Sequence, residues 1–290
     1  MNTPKELLQK AINRVRVAAD KFNPIAIVAL FSGGHDSGTA SLIAHEAGAS
    51  ITLHINTGIG VEQTRDYVRE TCSYRNWNLK EYKATENQKA DGTPDPKIYE
   101  DMVRRWGFPG PFMHSLMYQW LKERQLARFE RDIGATSKRP VIYIGGQRSS
   151  ESVRRMKNIL RADKNGIMKE GRRLWCSAIF DFSKSDCGAC MEYCGLKRNQ
   201  VVDLIHKSGE CLCGAYAKPG ELSELEMWFP DTAKRIRDLE REVMSKFPWG
   251  WESHPPRKDK QDPRQQLLFD ADYQPLCHHC NLNHVQQNFR

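Results

Sequence analysis

Ile25-Ala26-Ile27-Val28-Ala29-Leu30-Phe31-Ser32-Gly33-Gly34-His35-Asp36-Ser37 reads as a strand running straight into a glycine turn. Its first seven residues are apolar and partly β-branched, the composition of a buried strand. Residues 38–48 carry small and apolar side chains at helical spacing, and Gly48 is a natural stop. Strand, glycine turn and helix is the geometry that aims free backbone N–H groups at an anion. Paired glycines let the backbone approach a phosphate closely, and the Ser32 and Ser37 hydroxyls are further donors. The stretch predicts a phosphate site, and with it a nucleotide site. It also reads as an ordinary strand-to-helix turn, with Gly-Gly supplying positive φ and Asp36 or Ser37 capping the helix. The G-x-x-x-x-G-K-[ST] spacing of a Walker A loop is absent.

Outward from this turn the chain alternates. An amphipathic helix over residues 5–21 precedes it, with Leu7, Leu8, Ile12 and Val15 on one face. A second strand (50–56), a helix (62–77) and a third strand (79–84) follow. This β-α-β-α-β order predicts an α/β fold, a doubly wound and mostly parallel sheet with ligands at the strand carboxyl ends. Helices are expected over 96–106, 112–133 and 150–160, and strands over 140–145 and 174–180. Beyond residue 181 the chain turns to helices (185–195, 199–207, 231–246), cysteines and tryptophans, with a Pro/Lys/Asp/Gln-rich linker over 254–266. The expected division is an α/β nucleotide-binding domain over 1–183 and a helical, cysteine-bearing region over 184–290.

At 290 residues, with 39% hydrophobic and 28% charged side chains, the chain is globular and can build a core. No apolar run approaches the ~18 residues of a membrane span, and residues 1–10 are polar. A soluble cytoplasmic protein is expected, so the nine cysteines are expected reduced, metal-bound or buried. The formal charge of +8 is concentrated between Trp120 and Trp175, where fifteen Lys/Arg face six Asp/Glu. Such clustering suits DNA or RNA phosphates, and equally a solvated helix face beside a nucleotide pocket.

A second anion site is expected at Gly145-Gly146-Gln147-Arg148-Ser149-Ser150-Glu151-Ser152, directly after the strand at 140–145. Arg148 offers a planar fork of donors to a phosphate or sulfate. Glu151 is placed to hold that guanidinium or to bind a ribose hydroxyl, and the stretch also reads as a helix N-cap with Glu151 in its first turn. Asn56-Thr57-Gly58 ends the second strand. Cys187, Cys190 and Cys194 fall on one helix face, which favours a buried face over a cluster. Cys211-Leu212-Cys213-Gly214 and Cys277-His278-His279-Cys280 together make a four-sulfur set suited to Zn²⁺ or an iron–sulfur cluster. A redox dithiol at 277/280 beside an unrelated thiol pair at 211/213 is the other reading. Phe247-Pro248-Trp249-Gly250-Trp251 covers a core or a metal site, or stacks on bases.

Ser32-Gly33-Gly34-His35-Asp36-Ser37 resembles the SGGxDS signature of the PP-loop ATP pyrophosphatases, the superfamily that contains the phosphoadenosine phosphosulfate (PAPS) reductases. Gly146-x-Arg148-x-x-Glu151-Ser152 resembles that family's G-x-R-x-x-E-S pattern, and Asn56-Thr57-Gly58 its D-T-G segment, with asparagine in place of aspartate. Asp181-Phe182-Ser183-Lys184-Ser185-Asp186 is similar to its D-W-[ST]-x-x-D helix start. His35 stands where many members have lysine. The resemblance covers residues 20–215 and implies an adenine nucleotide alpha hydrolase-like sheet that binds ATP with Mg²⁺ and cleaves it between the α- and β-phosphates. By that resemblance Ser32, Gly33, Gly34, His35, Asp36 and Ser37 hold the pyrophosphate, and Asp36 orients the loop or binds Mg²⁺. Thr57, Gly58, Gly146, Arg148, Glu151 and Ser152 complete the nucleotide site, with Arg148 on the acceptor side or on the α-phosphate. It tilts the ligands Cys211, Cys213, Cys277 and Cys280 towards iron–sulfur. A sulfur-transfer role is implied, with a nucleic-acid acceptor and a sulfur-donor protein as in the DNA phosphorothioation relatives. Two alternatives stand: a reductase of PAPS or adenosine phosphosulfate with Cys211 as nucleophile, and a nucleotide-binding scaffold without turnover.

Overall fold

The structure is a computed structural model and describes residues 3–89, 93–151, 162–163, 166–253 and 255. Helix α1 (Pro4–Phe22) starts at a capping box in which Thr3 and Glu6 exchange hydrogen bonds. Strand and helix then alternate through β1 (Ala26–Leu30), α2 (His35–Glu46), β2 (Ile51–Asn56), α3 (Glu62–Tyr74) and β3 (Leu79–Lys83). Helix α4 (Ile98–Trp106) follows. The helix expected over 112–133 consists of α5 (His114–Tyr118), a π-helical segment (Gln119–Glu123) and α6 (Arg124–Asp132). Next come β4 (Val141–Ile144), β5 (Ile167–Glu170) and β6 (Arg173–Cys176). The chain closes on α7 (Lys184–Tyr193), α8 (Gln200–Ile205), α9 (Glu221–Trp228) and α10 (Pro230–Val243). Of the helix expected over 150–160, only a short turn at Ser149–Glu151 lies within the described residues. Ser152, the linker apart from Pro255, and Cys277 and Cys280 lie outside them.

The six strands form one sheet in the order β3-β2-β1-β4-β6-β5. All pair in parallel except β5, which runs antiparallel to β6 at the edge. The strand expected over 174–180 stops at Cys176 because the chain turns there, with Phe180 N–H donating to the Ser177 carbonyl.

Alternation along β4 shows why helices cover both faces. Ile142 and Ile144 point into a core with α1, α2 and α7, whereas Val141 and Tyr143 point into one with Leu126 and Phe129 of α6. All four are fully buried, and burying each aliphatic side chain contributes ~1.5–3 kcal/mol. A third core joins α4, α8, α9 and α10 to Ile59 and Val61. Phe247 and Trp249 pack against it and Trp251 is 2% exposed within it, so the aromatic cluster covers a core.

The strand order reverses between β1 and β4, with β2 and β3 to one side and β6 and β5 to the other. Open α/β sheets bind ligands in the crevice outside the strand carboxyl ends at such a reversal. Residues 31–37 leave β1 there and residues 145–151 leave β4, so the two motifs meet.

Candidate active site

A cavity of about 630 Å³ opens at this reversal, lined by Ser32, Gly34, His35, Asp36 and Ser37 from one motif and Gly145, Gly146, Arg148 and Glu151 from the other. Its volume is in the range of small-molecule sites.

The glycine turn is built from its own contacts. Gly33 has φ +76°, and a Cβ there would stand 2.7 Å from Thr64 Cγ2, so only glycine fits. Gly34 is the N-cap of α2 and offers no side chain to the first turn, which leaves backbone N–H groups for an anion. Neither Asp36 nor Ser37 caps the helix. Ser37 Oγ instead donates to the Gly34 carbonyl at 2.8 Å and accepts from Ser32 N–H at 3.3 Å. Ser32 Oγ lies 3.2 Å from Ser37 Oγ, so the two hydroxyls brace the loop together.

Gly146 locks the second motif onto the first. A Cβ at this position would fall 2.6 Å from Asp36 C and Ser37 N, so the β4 loop packs directly on the start of α2. Arg148, 9% exposed, donates from Nε to Asp36 Oδ2 at 3.0 Å and from Nη1 to Ser150 Oγ at 3.1 Å. Glu151 Oε2 accepts from Arg148 N–H at 2.9 Å. The carboxylate therefore fixes the backbone, and Asp36 fixes the guanidinium.

Thr57 and Gly58 are not brought to the cavity. Thr57 is fully buried and is spent on Glu210: its N–H donates to Glu210 Oε1 at 2.8 Å and its hydroxyl to the Glu210 carbonyl at 2.6 Å. Gly58 N–H donates to Asn56 Oδ1 at 2.9 Å and its carbonyl accepts from Arg235 at 2.7 Å.

Several lining residues come from parts of the sequence that carry no motif. Residues 198–210 wrap over the glycine turn and supply Arg198, Val202, His206, Lys207, Ser208 and Glu210 to the wall. Asn199 caps α8 at Val201 N–H and donates to the Gly33 carbonyl at 2.8 Å, which ties this wall to the loop. The sequence predicts a helix over 199–207 but carries no sign of the contact with Gly33. Lys122 and Tyr118 enter from the π-helical region. One residue of extra winding shifts the helix face, so helical periodicity gives no signal of it.

The charge of the wall follows from burial. Burial first, then the Arg198 guanidinium, pushes the His35 pKa down, which leaves its ring neutral at pH 7. Fixed positive charge comes instead from Lys122, Lys184, Arg198 and Lys207. Burial lowers the Lys122 pKa, but Cys211 and Glu210 outweigh it and the net shift is upward. Glu210, 2% exposed, faces His54 Nε2 at 3.2 Å, and His54 Nδ1 lies 2.8 Å from the Phe31 carbonyl.

Cys211 is partly exposed and Cys213 buried. The Cys213 side chain, assisted by Lys122, lowers the Cys211 pKa to about 6 against the effect of desolvation. Cys187 and Cys190 are buried in the α1–α2–α7 core, 1% and 0% exposed. Among the described residues no three His, Cys, Asp or Glu side chains stand together as metal ligands. Cys211 and Cys213 supply two sulfurs of the expected four, and Cys277 and Cys280 lie outside the described residues.

Part of the basic stretch from 120 to 175 is taken up in pairs among the described residues. Glu130, fully buried, accepts from Arg172 at 2.8 Å and from Arg173, and Arg173 also pairs with Glu123. Arg128 meets Glu86 at 2.7 Å and Arg124 lies over the Trp120 ring. No described helix is long and apolar enough to cross a membrane.

No family model and no curated protein matches the chain in sequence. Among solved structures it is similar to phosphoadenylyl-sulfate (PAPS) reductase from Candida auris, in a phosphate complex, at 16% identity and TM-score 0.47 over 67% of this chain and 84% of that one. It is also similar to NMN synthetase from Francisella tularensis, at 14% identity and TM-score 0.48 over 82% of this chain and 96% of that one.

Proposed function

We propose that the chain is an ATP-dependent adenylyl-transfer enzyme that splits ATP between the α- and β-phosphates. The observation that carries this is the meeting, at the strand-order reversal, of an uncapped α2 N-terminus with the Asp36-held guanidinium of Arg148. The N–H groups of the glycine turn bind the pyrophosphate that leaves, and Arg148 neutralises charge that develops on the α-phosphate. Lys184, Arg198 and Lys207 supply the wall's fixed cations in place of a lysine at position 35. Asp36 and Glu151 give the cavity the one or two carboxylates that a phosphate-bound Mg²⁺ needs from protein. Mg²⁺, when bound, neutralises the phosphates and orients them for in-line displacement. Gly145 leaves room beside the loop, since a Cβ there would meet nothing within 4 Å.

The acceptor is read as a nucleic acid and the purpose as sulfur transfer. The supporting features are the +8 formal charge and a thiol pair whose neighbours Lys122 and Glu210 line the cavity. The test is a product assay with α-labelled ATP and Mg²⁺, with and without DNA or RNA, using Arg148→Met and Ser37→Ala as controls. AMP or an adenylated product with pyrophosphate, lost in Arg148→Met, supports the reading. ADP, or no product in any mixture, overturns it.

A further inference from the structure

Helix α5 and the π-helical segment after it have one buried side and one open side. Met117 and Leu121 are 1% and 0% exposed, in the core shared with α4 and α10. One position on from them, His114, Tyr118 and Lys122 recur at four-residue intervals and form a single row along the helix. One end of this row enters the cavity, which Tyr118 and Lys122 both line. The other end is open: Phe112, on the turn Pro111–Met113, is 89% exposed.

Ring contacts carry the row across the surface. The His114 ring centroid lies 6.3 Å from that of Tyr118, with the planes 30° apart, and 4.9 Å from that of Tyr216. Tyr118 is 38% and Tyr216 51% exposed, while Ala215 and Ala217 on either side of Tyr216 are buried. The small side chains go to the core and the ring turns outward. Cations are interleaved with these rings. Residues 112–124 and 214–220 hold Lys122, Arg124 and Lys218 against a single acid, Glu123, which Arg173 takes up. Lys218 is exposed, and Arg124 lies 3.3 Å over the Trp120 ring.

An apolar peptide or a second copy of this chain calls for rings without cations, and a free phosphate for cations without rings. A nucleic-acid strand calls for both, because bases stack on aromatic faces while phosphates pair with lysine and arginine. A duplex keeps its base faces inside its own stack, so an unpaired strand alone offers them. We propose that this row is a platform for single-stranded nucleic acid and leads the strand to the cavity. The proposal rests on the nucleic-acid acceptor read above. Bases stack on Phe112, His114, Tyr118 and Tyr216, and Lys122 takes the phosphate of the nucleotide that reaches the cavity.

The test measures binding by the full chain without ATP, so its outcome is separate from that of the cleavage assay. The probes are fluorescein-labelled oligo(dT) and oligo(U) of about 12 nucleotides, within the usual span of such a site, and a duplex of the same length. Anisotropy should show the single strands bound at least about tenfold more tightly than the duplex. Phe112→Ala and Tyr216→Ala should each raise the single-strand Kd about 5- to 150-fold, the loss of one stacked base. Lys122→Ala should flatten the dependence of log Kd on log salt by about 0.7, the share of one single-strand phosphate. Ultraviolet cross-linking of a bromouracil-substituted strand to wild-type protein, read by peptide mass spectrometry, should map to residues 112–118 or 214–217. Cross-links confined to other residues would overturn the platform even where a variant fails to fold. Equal affinity for strand and duplex, or unchanged binding in both aromatic variants, would overturn it and leave the nucleic-acid acceptor standing. Binding of no probe would overturn both. Self-association of the chain that is lost in Tyr216→Ala would overturn it too, assigning the rings to a second copy.

Discussion

Arg148 reaches its working orientation because Asp36 accepts from its Nε at 3.0 Å while Ser150 takes Nη1. Asp36→Asn keeps the shape and removes the charge that aims the guanidinium. On the adenylyl-transfer reading kcat should fall about 10- to 100-fold, the usual cost of misplacing a transition-state group by an ångström. KM should change less. Arg148→Lys should behave similarly, because an ammonium cannot bond Asp36 and a phosphate through one planar fork. Both are checked by steady-state pyrophosphate release. A second prediction concerns His54 and Glu210, 1% and 2% exposed. Burial alone lowers the His54 pKa, but the Glu210 carboxylate 3.2 Å away outweighs it and raises the folded value. A raised folded pKa gives stability that is complete below the unfolded value of about 6.5 and is lost as pH rises through the folded one. His54→Gln should cost about 3–5 kcal/mol at pH 6, by leaving a buried carboxylate unpaired. The cost should shrink at alkaline pH, as urea unfolding at pH 6 and pH 9 would show. Neither the His54 contact nor the role of Thr57 was legible in the sequence. Both depend on residues 208–213 returning to the sheet, a long-range contact that no local pattern encodes.

Among the elements, those with a strong local signal match the sequence reading. The apolar run before Ser32 gave β1, and Ser183 with Asp186 forms the capping box that starts α7. Strand β5 and helix α9 carried no such signal. Ile167–Glu170 is a four-residue edge strand with two exposed positions, and α9 starts at Gly220 without a side-chain cap. Helix α1 is held to the sheet by a polar clamp as well as its apolar face. Arg14 donates to both Asp181 oxygens at 2.6 Å, and Lys10 adds a third bond at 2.8 Å. Burial raises the Asp181 pKa, yet these donors win and lower it to about 2. The clamp's stability is therefore present above the unfolded carboxylate value of about 3.9 and is lost as pH falls through about 2. Asp181→Asn should cost about 2 kcal/mol at pH 7, in the range of hydrogen bonds to charged groups. That is about 4–8 °C in Tm for a unit of this size. The difference from wild type should vanish near pH 2, which scanning calorimetry across pH would establish.

At the scale of the whole molecule, the cavity is closed by two halves of the chain that are far apart in sequence. The sheet brings the glycine turn and Arg148, while residues 198–210 supply the opposite wall and attach to the turn through Asn199. The motifs made the first half legible. The wall was not, because its residues are ordinary in type and gain meaning only from the fold. Within the basic stretch, Glu130 and Glu123 take up Arg172 and Arg173, a pairing that a charge count does not show. Nucleotide binding and closure of the wall should therefore be coupled. At about 100 times its Kd, ATP with Mg²⁺ should stabilise the wild type by ~2.7 kcal/mol. Asn199→Ala removes both the α8 cap and the bond to Gly33, and should destabilise the free protein by about 1–2 kcal/mol. It should also weaken ATP binding, because the ligand must then order the wall that Asn199 holds in the wild type. Hydrogen exchange tests this coupling directly. In the wild type, ATP should slow exchange in residues 199–210 together with residues 32–37. In Asn199→Ala, residues 199–210 should exchange faster without ligand and regain protection only at higher ATP. Equal protection in both proteins without ligand would mean that the wall is held by its apolar packing alone.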